Sequence, residues 1–191
     1  KYAQEIVKEN DIVFVSEKAV AITQGRAYPL AEIKPRPLAR LLSRYVTKTP
    51  SGIGLGIPET MEMALRECGV LRILFAAAVS FFGKLFGRKG DFYRIAGYKA
   101  SSIDGPTPNT LPPYNRYVVL GPENPDEVAK SISESIKAEV AIVDINDLGG
   151  SILGTSKPSL DRQALAGILR DNPLGQCSEQ TPIGIIRNAE E

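Results

Sequence analysis

The chain has 191 residues, of which 43% are hydrophobic, and its 23 basic and 22 acidic residues leave a net charge of +1. This length suits a single domain with a substantial core, and the balanced charge argues against recruitment of nucleic acid or an anionic membrane by a global field. Because histidine is absent, a Ser-His-Asp or Cys-His catalytic site and a histidine-bound zinc are excluded within this chain, and any metal must be a hard ion on oxygen ligands, Mg²⁺, Mn²⁺ or Ca²⁺.

The N-terminal part predicts short strands and helices separated by turns. The apolar, mostly β-branched run 12–15 predicts a buried strand, followed by a helical turn at 19–22 and a second short strand at 27–30. A helix is expected next, and its inward face includes Leu41 and Tyr45.

Three alternating glycines at 52–56 are similar to part of a dinucleotide-binding loop. A dinucleotide oxidoreductase would need a strand just before Gly52, and the sequence predicts none there. Flexible backbone that leads into a helix from Pro58 is the favoured interpretation.

The longest apolar segment lies in the middle of the chain. Residues 70–86 predict one helix, whose apolar run is too short for the roughly 20 residues of a membrane span, so we expect a buried or dimer-facing helix. Lys84, Arg88 and Lys89 then form a basic turn that is a candidate for an acidic ligand, with a solvated turn as the alternative. Residues 91–97 predict a strand that continues toward Asp104.

The C-terminal half contains the segment around which the sequence is organised. A helix that begins at Pro125 leads into the run 140–145, which predicts a strand buried on both faces. That run ends in Asp144, Asp147 and the pair Gly149-Gly150. Ligands in open α/β sheets bind beyond the carboxyl ends of strands, where glycines let backbone approach a ligand closely. The alternative is that both aspartates only cap a turn.

A helix at 160–169, with Leu165, Ile168 and Leu169 directed inward, and a strand at 183–186 complete the predicted elements. The fold class expected from them is α/β, an α+β mixed sheet with helices packed on it.

Three predicted loops contain side chains with oxygen atoms that could bind a metal ion. Asp104 and Asp147 each begin an irregular loop after an apolar run, and the loop 175–182 is rich in oxygen ligands. If these loops converge, they form a site for a divalent ion that bridges nucleotide phosphates, since Mg²⁺ is usually held by one or two carboxylates plus substrate oxygens. Solvated loop aspartates remain the alternative, because spacing alone does not establish convergence.

These segments occur in an order that resembles the coenzyme F-420-0:L-glutamate (gamma-glutamyl) ligase family over most of the chain. The similar segments are the early strand with Ser16, Lys18 and Gly25-Arg26, the approach from Ala96-Gly97 to Asp104, the helix start at 120–126, Asp147 with Gly150, and the closing loop and strand at 175–187.

The resemblance implies a gamma-glutamyl ligase-like fold and an enzyme that adds glutamate to a deazaflavin coenzyme precursor. It implies GTP or ATP as co-substrate, Mg²⁺ or Mn²⁺ as cofactor, and metal ligands at Asp104 and Asp147, with Asp144 as a further candidate. The nucleotide-binding candidates are Glu17, Lys18, Thr107, Gly149, Gly150, Gly175, Gln176, Ser178 and Thr181, and the substrate-binding candidates are Arg26, Arg88 and Lys89.

Several positions depart from the family pattern. The family has threonine where this chain has Leu148, arginine where it has Ser151, and asparagine where it has Thr107. It has lysine where this chain has Ile22 and an acidic residue where it has Gln176. Each lost charge-assisted contact is worth about 1.5–3 kcal/mol, so weaker binding of nucleotide and metal is expected. The segment 52–90 has no clear counterpart and is expected to be a helical insertion or dimer-facing subdomain. The alternative function is a non-catalytic or differently specific binding and assembly homologue.

The remaining expectations concern compartment and partners. Cys68 and Cys177 form neither a metal spacing nor a disulfide framework, which favours a reducing cytoplasm. The sequence begins at Lys1 without a secretion signal, so an upstream segment is expected in the gene product. We expect one ligase-like domain over residues 1–191 that forms a homodimer, with a small acidic substrate and a nucleotide as partners and neither nucleic acid nor membrane.

Overall fold

The structure is a computed structural model that describes residues 5–8, 10–46, 53–88, 90–108, 110–146, 149–173, 175 and 181–187. The chain divides into two compact units. Unit 1 comprises Lys1–Gln24 and Pro122–Glu191, and unit 2 comprises Gly25–Gly121. Unit 2 is therefore inserted in the sequence of unit 1.

Strands and helices are interspersed along the chain. In order they are β1 Ile12–Ser16, α1 Glu17–Thr23, β2 Ala27–Pro29, α2 Pro37–Ser43, α3 Pro58–Cys68, α4 Val70–Leu85, α5 Asp91–Ala96, α6 Tyr98–Ser101, β3 Tyr117–Val119, α7 Pro125–Ile136, β4 Glu139–Asn146, β5 Gly149–Thr155, α8 Arg162–Ile168 and β6 Ile183–Ile186. A mixed sheet with helices packed on it confirms the predicted α/β class.

Unit 1 is built on a mixed sheet with the strand order β5-β4-β1-β6. β1 and β4 run parallel at its centre, while β5 and β6 pair antiparallel with β4 and β1. Both central strands are apolar because helices cover both faces of the sheet, as parallel strands require. On one face α7 packs Val128, Ile132 and Ile136 against the strands, and on the other α8 contributes Leu165 to a core that also contains Leu169.

Unit 2 surrounds a second core. The buried side chains of α3 and α4 pack there with those that precede and follow β3, among them Met61, Leu65, Ile73, Ile103 and Leu120. The short strands β2 and β3 pair antiparallel at its side.

A buried glutamate anchors α3 within unit 2. Glu62 is buried and accepts hydrogen bonds from the Nε atoms of Arg36 and Arg66 at 3.0 and 2.9 Å. Burial raises the pKa of Glu62, but the hydrogen bonds from these two arginines outweigh it, so the pKa lies below its ordinary value. The carboxylate therefore stays charged and holds the segment before α2 against α3.

Most of the strongly patterned predictions are confirmed. The strands near 12–15 and 140–145 and the helices from Pro58, Val70 and Pro125 lie where the sequence indicates.

The strand predicted at 91–97 is wrong, because this segment forms α5 and continues into α6. Asp91 accepts a hydrogen bond from Arg94 at 2.8 Å, and this i,i+3 pairing favours a helical turn. Gly90 and Gly97, with φ of 83° and 85°, bracket the turn in conformations that other residues rarely adopt.

Three apolar side chains predicted to face inward are exposed. Leu41 and Tyr45 lie outside the core, because α2 buries the small residues Ala39 and Ser43 instead. Ile168 is 54% exposed, since α8 is short and directs Leu165 into the core.

Among the described residues, no single helix has the length and apolar composition needed to cross a membrane. Of the helices that the structure describes, α3 and α4 taken together meet both criteria, and this pair is bent by 116°.

An ion pair joins the first and last strands of unit 1. Asp11, which precedes β1 and is 2% exposed, accepts hydrogen bonds from Arg187 Nε at 2.8 Å and Arg187 Nη2 at 2.6 Å. The backbone N–H of Lys8 also donates to this carboxylate, at 2.7 Å. The Arg187 hydrogen bonds, followed by the Lys8 one, lower the pKa of Asp11 to about 2. Arg187 follows β6, so the pair fastens β6 beside β1.

We predict that Arg187→Gln lowers the melting temperature by several degrees at neutral pH. A native pKa of about 2 lies below the unfolded value of about 3.9, so the stabilisation is complete above that value and is lost as the pH falls toward 2. The gap between wild type and variant, followed by circular dichroism, should therefore close in acid. Arg170→Gln, at an exposed position of unit 1, is the control. A gap that is independent of pH would contradict this role for the pair.

Candidate functional site

Several predicted site segments meet at the carboxyl end of the central strands of unit 1. β1 and β4 are parallel neighbours, with Ser16 opposite Val143, so both strands end on the same side. The segment before β6 lies beside this point, because the backbone N–H of Ser16 donates to the Pro182 carbonyl at 2.8 Å. β5 begins there too, with Gly149 opposite Asn146. We name this region the β1–β4 end.

An ion pair follows β1 directly at the β1–β4 end. Glu17, the first residue of α1, is buried, and its Oε1 lies 2.9 Å from the Nζ of Lys18. The side chain of Lys18 remains 25% exposed. A buried carboxylate needs such a partner, and it holds the ammonium group at the strand end. A partly exposed, anchored cation at this position suits a ligand phosphate.

The glycine pair of the β1–β4 end, Gly149-Gly150, begins β5 in the antiparallel hairpin that β4 and β5 form. A side chain at Gly150 would overlap Ile145 and the carbonyl oxygen of Asp144, so only glycine lets β5 pair this closely with β4. Gly149 has a φ of 126°, which other residues rarely adopt. Asp144 is half-buried in β4 and lies opposite Ser151. β5 itself is absent from the sequence predictions.

The predicted residues of the β1–β4 end are not all within the described part of the chain. Glu17, Lys18, Asp144, Gly149, Gly150 and Thr181 are described and belong to it. Gly175 is also described, and its N–H donates to the Asn172 carbonyl at 2.9 Å. The predicted site residues Asp147, Gln176, Ser178 and Lys89 lie outside the described residues, as does Leu148.

The donor chemistry of this region suits a hard cation. Asp144 supplies carboxylate oxygens, as Asp147 does in the sequence, and these are the donors that Mg²⁺ and Mn²⁺ prefer. Among the described residues no cluster of three or more cysteine, aspartate and glutamate side chains is placed to hold a metal ion.

Unit 2 contains the other predicted metal and nucleotide residues. Asp104 is exposed, and its backbone forms a bridge with Val119, donating to the Val119 carbonyl at 2.9 Å and accepting from its N–H at 3.0 Å. Beyond it, the hydroxyl oxygens of Thr107 and Thr110 lie 2.7 Å apart. Asp104 is thus fixed at the side of β3, and the first turn of the following loop is held by a threonine pair.

The predicted substrate-binding arginines have carboxylate partners within unit 2. Arg26 Nε donates to the Gly121 carbonyl at 2.6 Å, and its Nη2 lies 2.7 Å from Glu67 Oε2. Arg88 Nη2 lies 3.2 Å from Oδ1 of the buried Asp91. Both side chains thus contribute to the packing of unit 2, and Arg88 is the more exposed of the two.

A cavity in unit 2 was not expected from the sequence. Its volume is about 380 Å³, and it is lined by Arg40, Ser43, Arg44, Gly56 and Pro58. Two arginines one helical turn apart give it a basic wall, and this i,i+4 spacing was visible in the sequence. Gly56 belongs to the segment with three alternating glycines at 52–56. The strand that a dinucleotide-binding loop would need just before Gly52 falls in residues 47–52, which lie outside the described residues, and the described residues before them form α2 and a turn.

We predict that Gly150→Ala destabilises unit 1 by about 1–3 kcal/mol, the usual effect of overpacking, because its methyl group overlaps β4. Gly167→Ala is the matched control, since a Cβ there meets nothing within 4 Å and an alanine in α8 should stabilise by about 0.5–1 kcal/mol. Urea denaturation of both variants measures the difference. Equal effects would contradict the close β4–β5 pairing.

A protein-family model described as F420-0:Gamma-glutamyl ligase matches residues 1–153, about four-fifths of the chain. The match includes β1, β4 and the aspartates at 104, 144 and 147, and it ends before the closing segment 175–187. No curated protein matches the chain.

Proposed function

Because the chain belongs to the F420-0:gamma-glutamyl ligase family, we propose that it is a nucleotide- and metal-dependent ligase that joins a carboxylate of a small acidic substrate to the amine of glutamate. The observation that carries this proposal is the β1–β4 end, where Lys18 follows β1, Asp144 lies near the end of the parallel neighbour β4, and the glycine pair begins β5. Ligands of α/β sheets bind at this position.

The proposed reaction needs a nucleotide because a carboxylate is a poor electrophile. A carboxylate oxygen of the substrate attacks the terminal phosphorus of GTP or ATP, which forms an acyl phosphate and releases the nucleoside diphosphate. The glutamate amine then attacks the acyl carbon. The C–N bond forms, the C–O bond to phosphate breaks, and inorganic phosphate and a proton leave. A divalent cation supplies charge neutralisation at the phosphate oxygens.

We assign the charges of the β1–β4 end to this chemistry. Lys18 neutralises a phosphate oxygen, and Glu17 positions its ammonium group through the contact at 2.9 Å. Asp144 and Asp147 are the proposed cation ligands of unit 1, and Asp104, in unit 2, stays a separate candidate that rests on the family resemblance. The proposed nucleotide contacts of unit 1 are the glycine pair, Gly175, Gln176, Ser178 and Thr181, and Thr107, in unit 2, stays a separate candidate that rests on the family resemblance. Arg88 and Lys89 are better candidates for the acidic substrate than Arg26, which Glu67 already engages.

The departures from the family pattern affect the expected affinity. Ser151, where the family has arginine, is exposed on β5 opposite Asp144, and Ile22, where the family has lysine, is half-buried in α1. Loss of one charge-assisted contact weakens binding by about 1.5–3 kcal/mol, roughly 10- to 100-fold. We therefore propose a divergent member that binds nucleotide more weakly than the family pattern provides or takes a different acidic substrate.

We predict that Mn²⁺ together with GTP or ATP raises the melting temperature of the full chain. A ligand at 100 times its dissociation constant stabilises by about 2.7 kcal/mol, so a shift is measurable even at modest affinity. Asp147→Asn and Lys18→Gln should each remove most of the nucleotide-dependent shift, because they remove a proposed ligand and a proposed phosphate partner.

Asp171→Asn, at an exposed position of unit 1, is the matched control and should retain the shift. A wild-type chain that responds to neither nucleotide would contradict the proposal and favour a non-catalytic homologue. An unchanged shift in Asp147→Asn would remove that residue from the site.

A further inference from the structure

Helix α4 exposes an apolar face to solvent. Its outward positions recur at spacings of three and four residues, so they form one stripe along a 16-residue helix, which is about 24 Å long. The opposite side of α4 is already occupied, because Ile73 and Ala76 are buried in the core of unit 2. We name the stripe the α4 apolar face; its large members are Leu71, Leu74, Phe75, Phe81, Phe82 and Leu85.

The α4 apolar face is larger than a soluble surface usually carries. Phe75, Phe81 and Phe82 are each about 60% exposed, and at roughly 200 Å² per ring they expose about 350 Å² between them. The leucines add to this, and Leu71 alone is 84% exposed. The largest apolar patch on a typical monomer is about 300–600 Å², and patches at or above that size mark interaction surfaces.

Basic residues lie in α4 and in the segments next to it in the sequence. Between positions 68 and 103 the sequence has six lysines and arginines and a single acidic residue, Asp91, although the whole chain is almost neutral. Arg72 and Lys84 lie in the first and last turns of α4, and both are exposed. Arg88 and Arg94 are exposed as well, whereas Asp91 is buried between them. The exposed charge around the α4 apolar face is therefore positive.

This charge distinguishes between two occupants of the face. A second copy of the chain would bring the same positive residues against one another around an apolar contact, and like charges at an interface are repulsive. A surface of anionic lipid complements them, and leucine and phenylalanine side chains with lysine and arginine beside them are the composition of helices that lie in a membrane interface.

We propose that the α4 apolar face docks the protein onto an anionic lipid surface, with α4 lying in the plane of the interface and its basic residues at the headgroups. This binding is peripheral, and the apolar residues of α4 have no role in the proposed ligase chemistry, whereas Arg88 has a proposed role in both. Its strength depends on buried apolar area and on attraction to anionic headgroups together, so both must be present in the membrane that binds.

Cosedimentation of the full chain with lipid vesicles tests the proposal. Vesicles that contain one-third phosphatidylglycerol should bind the chain at low salt, and vesicles of phosphatidylcholine alone should bind it on the order of tenfold less, since each basic residue near the surface is worth about 1 kcal/mol. Higher salt should weaken the binding through screening.

Two matched double variants test whether lipid binding depends on the α4 apolar face or on exposed apolar residues in general. Phe75→Ser with Phe82→Ser should lower partitioning on the order of tenfold or more, because two large apolar side chains no longer enter the interface. Leu111→Ser with Ile168→Ser, which changes comparably exposed residues that are not part of α4, should leave the partitioning unchanged. Thermal melting of both variants verifies that they fold.

Three outcomes would overturn the proposal. One is equal binding to neutral and anionic vesicles, and another is an equal loss in both double variants. The third is a wild-type dimer in sedimentation velocity that Phe75→Ser with Phe82→Ser converts to monomer, which would assign the face to a second copy. The comparison of the two vesicle compositions uses the wild-type chain, so it remains decisive even if a variant fails to fold.

Discussion

The parallel pairing of β1 with β4 is the constraint on which unit 1 depends. These strands are far apart in the sequence, yet they lie side by side with Ile12 opposite Glu139. Because they are parallel, the residues that follow each strand meet at one end of the sheet, and the antiparallel partners β5 and β6 begin there as well. The buried apolar side chains of both strands hold this arrangement. In α/β proteins, ligands bind beyond the carboxyl ends of such buried parallel strands, and polar residues lie at this end of β1 and β4.

The β4–β5 hairpin and the helices are tied together by a few close contacts. A side chain at Gly154 would overlap the backbone at Pro125, so the start of α7 rests directly on β5. Asp126 in the first turn of α7 accepts a hydrogen bond from the N–H of Thr155 at 2.8 Å and also binds Arg162 of α8. These contacts fix β5 against helices on both faces of the sheet. Gly150, at the β1–β4 end, also has a structural role, because a side chain there would overlap β4.

The sequence predicted those elements whose residues carry a strong pattern. The β-branched run of β1, the apolar length of α4 and the proline start of α7 each specify one structure. β5 was missed because it begins with two glycines and a serine, and only its pairing with β4 makes it a strand. The helix α5 was missed because the polarity pattern of its six residues fits the repeat of a helix as well as that of a strand. The hydrogen bond between Arg94 and Asp91 favours the helix. In the site, the strand end indicated Asp144 and the family resemblance indicated Lys18. The pairing of Arg26 with Glu67, 41 residues away in the sequence, leaves no local pattern from which it could be predicted.

Charge is informative at two different scales in this chain. The net charge of +1 led to the expectation that no membrane is bound, but it averages over a basic segment around α4 and an acidic remainder. The β1–β4 end belongs to unit 1, whereas α4 belongs to unit 2. The buried Glu17, the anchored Lys18 and Asp144 at the β1–β4 end are the proposed partners of phosphate and metal. The most direct measurement is a crystal structure with Mn²⁺ and a non-hydrolysable GTP analogue. We predict anomalous density beside Asp144 and Asp147 with the phosphates near Lys18, and manganese bound only elsewhere on the chain would contradict this assignment.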